Sequence, residues 1–393
     1  MSLIGVDGHV VEVEADLAQG LPGLTVTGLP DAALGEARDR VRAAVVNSGH
    51  AWPQKRITLG LSPASLPKRG SGFDLALAAA ILAADGAVPA AALIGRVLIG
   101  ELGLDGRVRS VRGVLPAVLT AVRASFERVI VPMGNLAEAR LLPGVQADGV
   151  ATLRGLVALL RGEPFEESCP AVPVSSASPG LALDMLDVAG QVRGRTAMEV
   201  AAAGGHHAFL LGPPGSGKTM VAERMPGLLP PLELEAALEV TAVHSVAGTL
   251  PAGEPLVRIP PYQDPHHTST VASIVGGGSG VARPGAASLA HHGVLFLDEA
   301  PEFASGVLDA LRQPLESGRL SITRVGGTAV YPARFTLLLA ANPCPCGKDP
   351  RDCTCRPDAR RRYLTRLSGP LLDRIDLHVD TPPITRAEIM AEG

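Results

Sequence analysis

"GPPGSGKT", residues 212 to 219, decides the fold of the second half of this chain. The stretch fits the pattern G-x-x-x-x-G-K-[ST] in full, and it stands between the apolar run HAFLL and the helix-compatible run TMVAERM. Glycines in such a loop let backbone N–H groups turn onto phosphate oxygens, while the lysine reaches the terminal phosphates and the hydroxyl binds Mg²⁺. The motif predicts a nucleotide-phosphate and Mg²⁺ site formed by Gly212, Pro213, Pro214, Gly215, Ser216, Gly217, Lys218 and Thr219.

Three more apolar runs of strand length follow, separated by segments of helical pattern. They are GVLFLDEA (293–300), FTLLLAAN (335–342) and RIDLHVD (374–380). Continuous apolar runs that alternate with helices are typical of a parallel sheet covered by helices on both faces. Because ligands of such sheets bind at the carboxyl ends of the strands, we expect the chemistry directly after each run.

Two acidic residues end the second of these strands. Asp298 is expected to hold Mg²⁺ together with Thr219, and Glu299 is expected to act as the base that polarises the attacking water. A solvated acidic strand end is the alternative. The phosphate loop upstream favours the catalytic interpretation.

The other two strand segments also carry polar residues. Asn342 directly follows its strand and is expected to orient water or to contact the γ-phosphate, although asparagine is also a common turn former. Arg374 is expected to supply a catalytic cation to the nucleotide of a neighbouring molecule. The alternative for Arg374 is a surface ion pair with Asp373 or Asp376.

The first part of the chain has a different pattern. Alternation over residues 11–17 predicts a strand, a helical period covers 31–48, and LIGELGLDGRVRSV predicts a hairpin that turns at Asp105-Gly106. We predict a mixed α/β domain over residues 1–166. The Pro- and Ser-rich stretch CPAVPVSSASPG predicts a linker over 167–183, which leaves 184–393 for the second domain.

Four of the five cysteines lie close together, as C-x-C-x₆-C-x-C: Cys344, Cys346, Cys353 and Cys355. Four thiolates suit tetrahedral Zn²⁺, although structural zinc sites usually space each pair as C-x₂₋₄-C. Reduced structural thiols and a redox switch are the alternatives. Cys169 stands alone in the linker region.

A basic segment, RPDARRRYLTRL (356–367), follows the cysteines. Its arginines and Tyr363 are suited to contacts with DNA phosphates and bases, and a solvated basic helix is the other interpretation.

Composition sets limits on the class of protein. The length of 393 residues indicates two domains. With 35 basic against 39 acidic residues, any anionic partner must be met by local basic clusters. The first basic residue is Arg38, and the apolar stretches are too short to span a bilayer. We therefore expect a cytoplasmic protein without a membrane partner.

Several longer motifs carry a resemblance to a known family: GGGSGVARPGAASLAHHGVLFLDEAPEF, LRQPLESGRLSITR and NPCPCG. With the phosphate loop, they resemble the magnesium-chelatase-like AAA+ family, and most closely its ComM/YifB branch of DNA-uptake and recombination helicases. The resemblance implies an ATPase that uses ATP and Mg²⁺, forms a ring, expected to be a hexamer, and moves branched DNA through its pore, with recombination proteins as possible further partners.

The resemblance also assigns roles by position. Walker A falls on 212–219, Walker B on Asp298 and Glu299, sensor 1 on Asn342, and the arginine finger on Arg374.

Two segments match elements that flank the pore. GRLSITRVGGTAVYPARF matches a hairpin that turns at Gly326-Gly327, and PYQDPHHTSTVASIVGGGSG matches a glycine-rich insert. Arg319 and Arg324 are then expected to contact phosphates, unless they belong to a solvated hairpin face.

The first domain resembles the proteolytic domain of Lon in LPKRGSGFDLALA and IGELGLDGRVRSVRGVLPAVLTA. The nucleophilic serine of Lon falls on Gly72, with Ser71 one place early, and its lysine falls near Leu115. We therefore expect a Lon-like fold without proteolytic activity.

Members of this family normally continue into a helical lid, and the sequence stops at Gly393, so we expect the lid to be absent. Two other functions have to be weighed against the DNA motor. These are the ATPase subunit of a metal chelatase and an ATP-dependent protease. The Lon-like domain and the cysteines argue against the first, and Gly72 with Leu115 argues against the second.

Overall fold

A computed structural model gives the conformation of most of the chain. It describes residues 1–28, 32–68, 70–165, 183–251, 255–278, 282–324, 327–348 and 353–384. The chain divides into two compact units, one formed by residues 1–175 with 244–256 and the other by 176–243 with 257–393. Cys169 and the predicted linker, except for its last residue Leu183, lie outside the described residues.

The first unit is a mixed α/β structure. Its described strands are β1 (Ser2–Ile4), β2 (Asp7–His9), β3 (Glu12–Ala18), β4 (Gly23–Thr27), β5 (Arg56–Ser62), β6 (Arg96–Leu98), β7 (Glu101–Leu102), β8 (Val108–Arg109), β9 (Arg128–Pro132) and β10 (Gln146–Val150). Its helices are α1 (Ala32–Asn47), α2 (Asp74–Ala84), α3 (Val114–Arg123), α4 (Leu136–Ala139) and α5 (Leu153–Arg161). The strands form two three-stranded sheets, ordered β3-β5-β4 and β10-β9-β6, and two hairpins, β1-β2 and β7-β8.

Hydrophobic patterning explains the core of this unit. Alternate residues of β5, namely Ile57, Leu59 and Leu61, are buried with the apolar residues of α1, α2 and α5. The strand, the helix and the hairpin predicted near its start are present as β3, α1 and β7-β8. Gly106 has φ 82° in that hairpin turn, a conformation that favours glycine.

The second unit contains a parallel sheet and an antiparallel hairpin. Its described strands are β11 (Ala208–Leu211), β12 (Tyr262–Gln263), β13 (Val294–Leu297), β14 (Arg319–Arg324), β15 (Gly327–Pro332), β16 (Thr336–Ala341) and β17 (Leu377–Asp380). Its helices are α6 (Val192–Gly204), α7 (Lys218–Ala222), α8 (Met225–Leu228), α9 (Leu234–Ala247), α10 (Val271–Val275), α11 (Ala286–Leu289), α12 (Ser305–Ala310), α13 (Arg312–Ser317), α14 (Pro357–Leu364) and α15 (Gly369–Leu372).

The sheet has the order β12-β13-β16-β11-β17, with all neighbours parallel. Consecutive residues of its central strands point into two separate cores, one on each face. Leu295, Leu297 and Leu339 pack with α10 to α13 and α15, whereas Phe296 and Leu338 pack with α6 to α8. The predicted fold, a parallel P-loop sheet covered by helices on both faces and preceded by a mixed α/β domain, is therefore confirmed.

The predicted pore hairpin is present as β14 paired with β15, from Arg319↔Pro332 to Arg324↔Gly327. Its turn residues, Val325 and Gly326, lie outside the described residues. The glycine-rich insert lies beside the hairpin, because a Cβ on Gly277 would be 3.2 Å from Nη2 of Arg324. Gly277 also exchanges two backbone hydrogen bonds with Arg283, at 3.0 and 2.8 Å.

One segment leaves the second unit and belongs to the first. Helix α9 starts in the second unit, yet residues 244–256 group with the first. Ser245 explains this grouping, because its carbonyl accepts the backbone N–H of Gly113 at 3.2 Å and its hydroxyl bonds to the buried carboxylate of Glu138. The prediction of two consecutive domains does not include this segment.

In the described part of the chain, every helix is too short or too polar to reach across a lipid bilayer.

Candidate functional site

The phosphate loop connects β11 to α7 at the carboxyl end of the central sheet. Gly215 and Gly217 have φ angles of 74° and 84°, in the left-handed region that glycine adopts at little cost. A Cβ on Gly212 would stand 2.2 Å from the carbonyl oxygen of Thr381, so no larger residue fits there. The loop places its backbone N–H groups and the start of α7 at one point, as a phosphate cradle requires.

Lys218 is the first residue of α7 and is almost fully buried. Its Nζ donates to the carbonyl oxygens of Gly212 at 2.8 Å and Pro213 at 2.9 Å, and to Oδ1 of Asn342 at 3.3 Å. These three bonds use the three donors of an ammonium group. Burial lowers the pKa of Lys218, and the negative charges of Asp298 and Glu299 oppose that shift.

Thr219 and Asp298 meet at the same edge of the sheet. The Thr219 hydroxyl donates to Oδ2 of Asp298 at 2.6 Å, and Oδ1 of Asp298 accepts the backbone N–H of Glu299 at 2.8 Å. A hydroxyl beside a carboxylate offers the hard oxygen ligands that Mg²⁺ prefers. The donor set present therefore fits the predicted Mg²⁺ site.

Glu299 follows in a left-handed backbone conformation, with φ 51°. For a residue with a side chain this conformation is uncommon, and it frequently marks a functional position. The Glu299 carboxylate contacts Nδ1 of His267 at 3.2 Å, and the His267 ring lies against the ring of His266 with centroids 4.1 Å apart. This histidine pair lies inside the glycine-rich insert, and its contact with Glu299 was not predicted from the sequence.

Asn342 lies where β16 ends, level with the start of the phosphate loop, because Ala341 pairs with Leu211. Its side chain contacts Lys218, and its neighbour Ala341 accepts the backbone N–H of Gly212 at 3.2 Å. The structure thus brings four predicted site residues together: Lys218, Thr219, Asp298 and Asn342.

Two residues that the sequence analysis missed hold the phosphate loop in place. Nε2 of Gln191 donates to the carbonyl oxygens of Ser216 and Pro382, each at 2.6 Å. The Thr381 hydroxyl lies 3.2 Å from the Ser216 hydroxyl, and the Thr381 N–H donates to Leu211 at 2.8 Å. Both tie the loop to the segment after β17, and neither belongs to a local motif.

Arg374 lies away from this group, near the amino ends of the sheet strands, whereas the phosphate loop lies at their carboxyl ends. It precedes the parallel strand β17, and its neighbour Asp376 accepts the backbone N–H of His207 just before β11. The Arg374 guanidinium is paired with Glu316 of α13. Within one chain, Arg374 therefore lies at the end of the sheet that faces away from the phosphate loop. Its ion-pair partner is Glu316, and not Asp373 or Asp376.

The four clustered cysteines converge. Their Sγ atoms all lie within 4.8 Å of one another, with 3.2 Å between Cys344 and Cys346, 3.8 Å between Cys346 and Cys353, and 3.5 Å between Cys353 and Cys344. Sulfurs of a tetrahedral zinc site with bonds of about 2.3 Å stand about 3.8 Å apart. The donor set and its spacing fit a thiophilic metal ion.

Cys346 has the chemistry expected of a metal-binding thiolate. The backbone N–H of Lys348 and the Cys344 thiol donate to its sulfur and lower the pKa of Cys346 to about 6.

Helix α14 carries the basic segment after the cysteines. Arg356, Arg360, Arg361 and Arg362 are exposed, as the DNA-contact interpretation requires. Tyr363 is only 4% exposed, and burial raises its pKa to about 12. Because the ring faces the protein, Tyr363 anchors the helix and cannot stack on a base, contrary to our expectation.

A second cluster of ligand-type side chains, Glu239 with His291 and His292, is a hydrogen-bonded group. Oε2 of Glu239 contacts Nε2 of His291 at 3.0 Å and Nε2 of His292 at 3.2 Å. Nδ1 of His291 accepts the backbone N–H of Arg334 at 3.0 Å, so the proton of the neutral ring lies on Nε2. That proton is donated to Glu239, and this nitrogen has no lone pair for a metal.

In the first unit, the Ser71 hydroxyl hydrogen-bonds to the carboxylate of Glu101. The partner of the Ser71 hydroxyl is thus a carboxylate, whereas the Lon mechanism needs a lysine as the base that activates its serine. Leu115 is fully buried, and a Cβ on Gly72 would meet no atom within 4 Å. The absence of proteolytic activity in this unit stays a prediction.

Comparison with known proteins places both units in one family. Residues 184–389 match the family described as magnesium chelatase, subunit ChlI, and residues 13–135 match a second description, subunit ChlI of Mg-chelatase. The first match alone covers more than half of the chain.

Several relatives match nearly the whole chain. An uncharacterized protein of Mycobacterium tuberculosis, Rv2897c, is 57% identical over 95% of this chain and 74% of its own length. The protein YifB of Escherichia coli is 43% identical over 96% of this chain and 74% of its own length. The competence protein ComM of Haemophilus influenzae is 42% identical over 99% and 77%, respectively.

A shorter match concerns a protease. The Lon protease of Salinispora arenicola is 28% identical over 34% of this chain, which corresponds to 18% of the protease. This partial similarity agrees with a Lon-like fold for the first unit.

Proposed function

Because this chain belongs to the magnesium-chelatase-like AAA+ family, as a protein of the ComM and YifB type, we propose that it is an ATP-driven ring motor that moves branched DNA. Members of this family are ATPases. The observation that carries the ATPase part is the convergence of Lys218, Thr219, Asp298 and Asn342 at one edge of the sheet. The name of the competence protein ComM supports a role in DNA uptake.

Each residue of the site has its own proposed role in ATP hydrolysis. The phosphate loop and Lys218 hold the β- and γ-phosphates, and Asn342 contacts Lys218 next to the γ-phosphate position. Thr219 and Asp298 would hold Mg²⁺, which would supply positive charge to neutralise the phosphates. Glu299 accepts the proton of the attacking water, in an orientation that the contact with His267 defines.

Arg374 supports assembly into a ring, which we propose to be a hexamer. It lies near the amino ends of the sheet strands, opposite the phosphate loop, and its guanidinium is paired with Glu316. An arginine placed there cannot serve its own nucleotide without a large rearrangement, but a neighbouring copy can receive it. We propose that Arg374 completes the site of the next subunit.

The proposed DNA contacts lie on the hairpin and on α14. Arg319 and Arg324 are exposed on β14, and Arg324 stands against Gly277 of the insert. The exposed arginines of α14 form a second positive surface, with Asp358 as an acidic residue on the same helix. Both surfaces are suited to phosphate contacts that do not depend on sequence.

We also propose that Cys344, Cys346, Cys353 and Cys355 bind Zn²⁺. Wild-type protein should contain one zinc ion per chain, and Cys353→Ser should lose most of it, because three thiolates bind zinc less tightly than four. Atomic emission on dialysed protein measures this, and Cys169→Ser is the matched control that should keep its zinc. Zinc-free wild-type protein, purified without chelators, would contradict the assignment.

The alternative function is that of an ATPase subunit of a metal chelatase, which the family description itself favours. The ATPase rate of the purified chain with forked DNA, linear duplex, single strands, protoporphyrin and casein separates the possibilities. We expect forked DNA to raise the rate, and protoporphyrin and casein to leave it unchanged. ATP turnover that is indifferent to every DNA structure would remove the DNA motor from consideration, and a rise with protoporphyrin would favour the chelatase.

A further inference from the structure

The turn that carries Cys344 and Cys346 packs directly against the phosphate loop. A Cβ on Gly347 would lie 2.8 Å from Cγ of Pro214 and 3.9 Å from Nδ2 of Asn342. Gly347 has φ 65°, and its N–H donates to the carbonyl of Cys344 at 3.1 Å, which closes the turn. The approach is so close that only glycine fits without displacing Pro214.

The segment after the second pair of cysteines also rests on the nucleotide site. Tyr363 of α14 is buried, and its hydroxyl hydrogen-bonds to the backbone of Asn342. Nη1 of Arg366 donates to the carbonyl oxygen of Pro301 at 3.0 Å and to Glu302 at 3.1 Å, in the turn that follows Glu299. Helix α14 and the residues directly after it therefore contact both the end of β16 and the turn that follows Glu299.

The thiols connect these two contact regions. Cys344 and Cys346 belong to the turn against Pro214, whereas Cys353 and Cys355 precede α14 by a few residues. A metal ion bound by all four would cross-link the turn to the start of the helix. Since Asn342 lies between both contacts and bonds to Lys218, the position of this cross-link bears on the phosphate site.

We propose that the cysteine site and the nucleotide site are thermodynamically coupled through the contact of Gly347 with Pro214. The metal would be a thiophilic divalent cation that accepts four sulfur ligands, of the class of Zn²⁺. With the metal bound, the turn is held against the phosphate loop, which is then ordered before the nucleotide arrives, so less ordering entropy is lost on binding. The inference rests on the proposed nucleotide and Zn²⁺ sites and links the first to the second as its regulator.

Coupling of this kind is reciprocal. If Zn²⁺ tightens nucleotide binding by some factor, then the nucleotide must tighten Zn²⁺ binding by the same factor, which is typically about 5- to 150-fold. A metal that only stabilised the whole fold would leave both affinities of fully folded molecules unchanged, which is a factor of one in each direction. A factor that differs from one in folded protein is therefore the signature of the coupling, and its equality in the two directions checks the measurement.

The experiment uses the full chain, loaded with Zn²⁺ or stripped by a chelator, with far-UV circular dichroism as a check of folding. Binding of a fluorescent ATP analogue gives the nucleotide Kd of both forms, and competition with a chromogenic chelator gives the Zn²⁺ Kd with and without the analogue. We expect stripping to weaken nucleotide binding by about 5- to 150-fold, with an equal change in the reverse direction. Cys169→Ser should match the wild type in every measurement.

Gly347→Ala separates coupling from folding. All four thiols remain, so the variant should bind one Zn²⁺, but its Cβ displaces the turn from Pro214. We expect the zinc-loaded variant to bind nucleotide as weakly as the stripped wild type, and stripping it should change little further. If stripped wild-type protein unfolds, two measurements still test the coupling. These are the nucleotide Kd of zinc-loaded Gly347→Ala and the Zn²⁺ Kd of the wild type with and without the ATP analogue.

Equal nucleotide Kd values for loaded and stripped wild type, or wild-type affinity and coupling in Gly347→Ala, would overturn the proposal, as would wild-type protein that binds no Zn²⁺. Failure of every form to bind nucleotide has a different meaning, because it would refute the proposed ATPase itself.

Discussion

Glu299→Gln will bind ATP normally and hydrolyse it about 10²- to 10⁴-fold more slowly than the wild type, the range expected for loss of a general base. Glutamine has nearly the size of glutamate, so the turn after β13 and the contact with His267 at 3.2 Å should be kept in outline. The amide, however, cannot accept the proton of the attacking water. The effect should therefore appear in kcat, with little change in nucleotide affinity.

Single-turnover hydrolysis and binding of a fluorescent ATP analogue measure the two quantities separately. Glu199→Gln is a suitable control. This substitution removes the same charge, but Glu199 is exposed on α6 and is not one of the site residues. Normal turnover in Glu299→Gln would show that another group activates the water, and His267 would be the first alternative to examine.

Lys218→Ala will lose nucleotide binding rather than catalysis. Its ammonium group makes three hydrogen bonds at the phosphate loop, and the phosphates of a nucleotide would take the place of these acceptors. Loss of a hydrogen bond to a charged group costs about 1.5–3 kcal/mol, which corresponds to a fall in affinity of about 10- to 150-fold. The phosphates carry several charges, so we expect the upper end of this range.

Equilibrium titration with the fluorescent ATP analogue measures this loss, and thermal unfolding checks that the variant is folded. Lys55→Ala, in which an exposed lysine of the first unit is removed, should bind the analogue like the wild type. An unchanged affinity in folded Lys218→Ala would mean that the nucleotide binds elsewhere.

The sequence was informative wherever the chemistry follows a regular element. Apolar runs predicted β11, β13, β16 and β17. The polar residues directly after β13 and β16 meet Lys218 and Thr219, which follow the phosphate loop after β11, at the carboxyl ends of the strands. This part was predictable because strand ends of a parallel sheet converge by geometry. The spacing of the cysteines likewise indicated a cluster, since residues so close in sequence have few ways to separate.

Other parts were not predictable, because they depend on pairings between distant residues. Gln191 reaches Pro382 across 191 positions, and Thr381 reaches Ser216 across 165. Neither residue belongs to a pattern that predicts contact with a phosphate loop. His267 was visible as part of a histidine pair, but its contact with Glu299 depends on how the insert folds back on the sheet.

Orientation was a further limit. The basic segment after the cysteines was recognised, yet the sequence does not show that Tyr363 faces the interior while the arginines around it face outwards. In a helix of eight residues with many arginines, a single tyrosine is too little to define an apolar face.

The return of residues 244–256 to the first unit bears on how this protein can be taken apart. A chimera that exchanges residues 1–175 for those of a relative would keep Ser245 from the original protein, while its acceptor Glu138 would come from the donor. A domain exchange at the linker alone would therefore pair residues from two different proteins. Residues 1–175 and 244–256 have to be exchanged together. In the same way, a protease cut in the linker would leave residues 244–256, which belong to the first unit, on the C-terminal fragment.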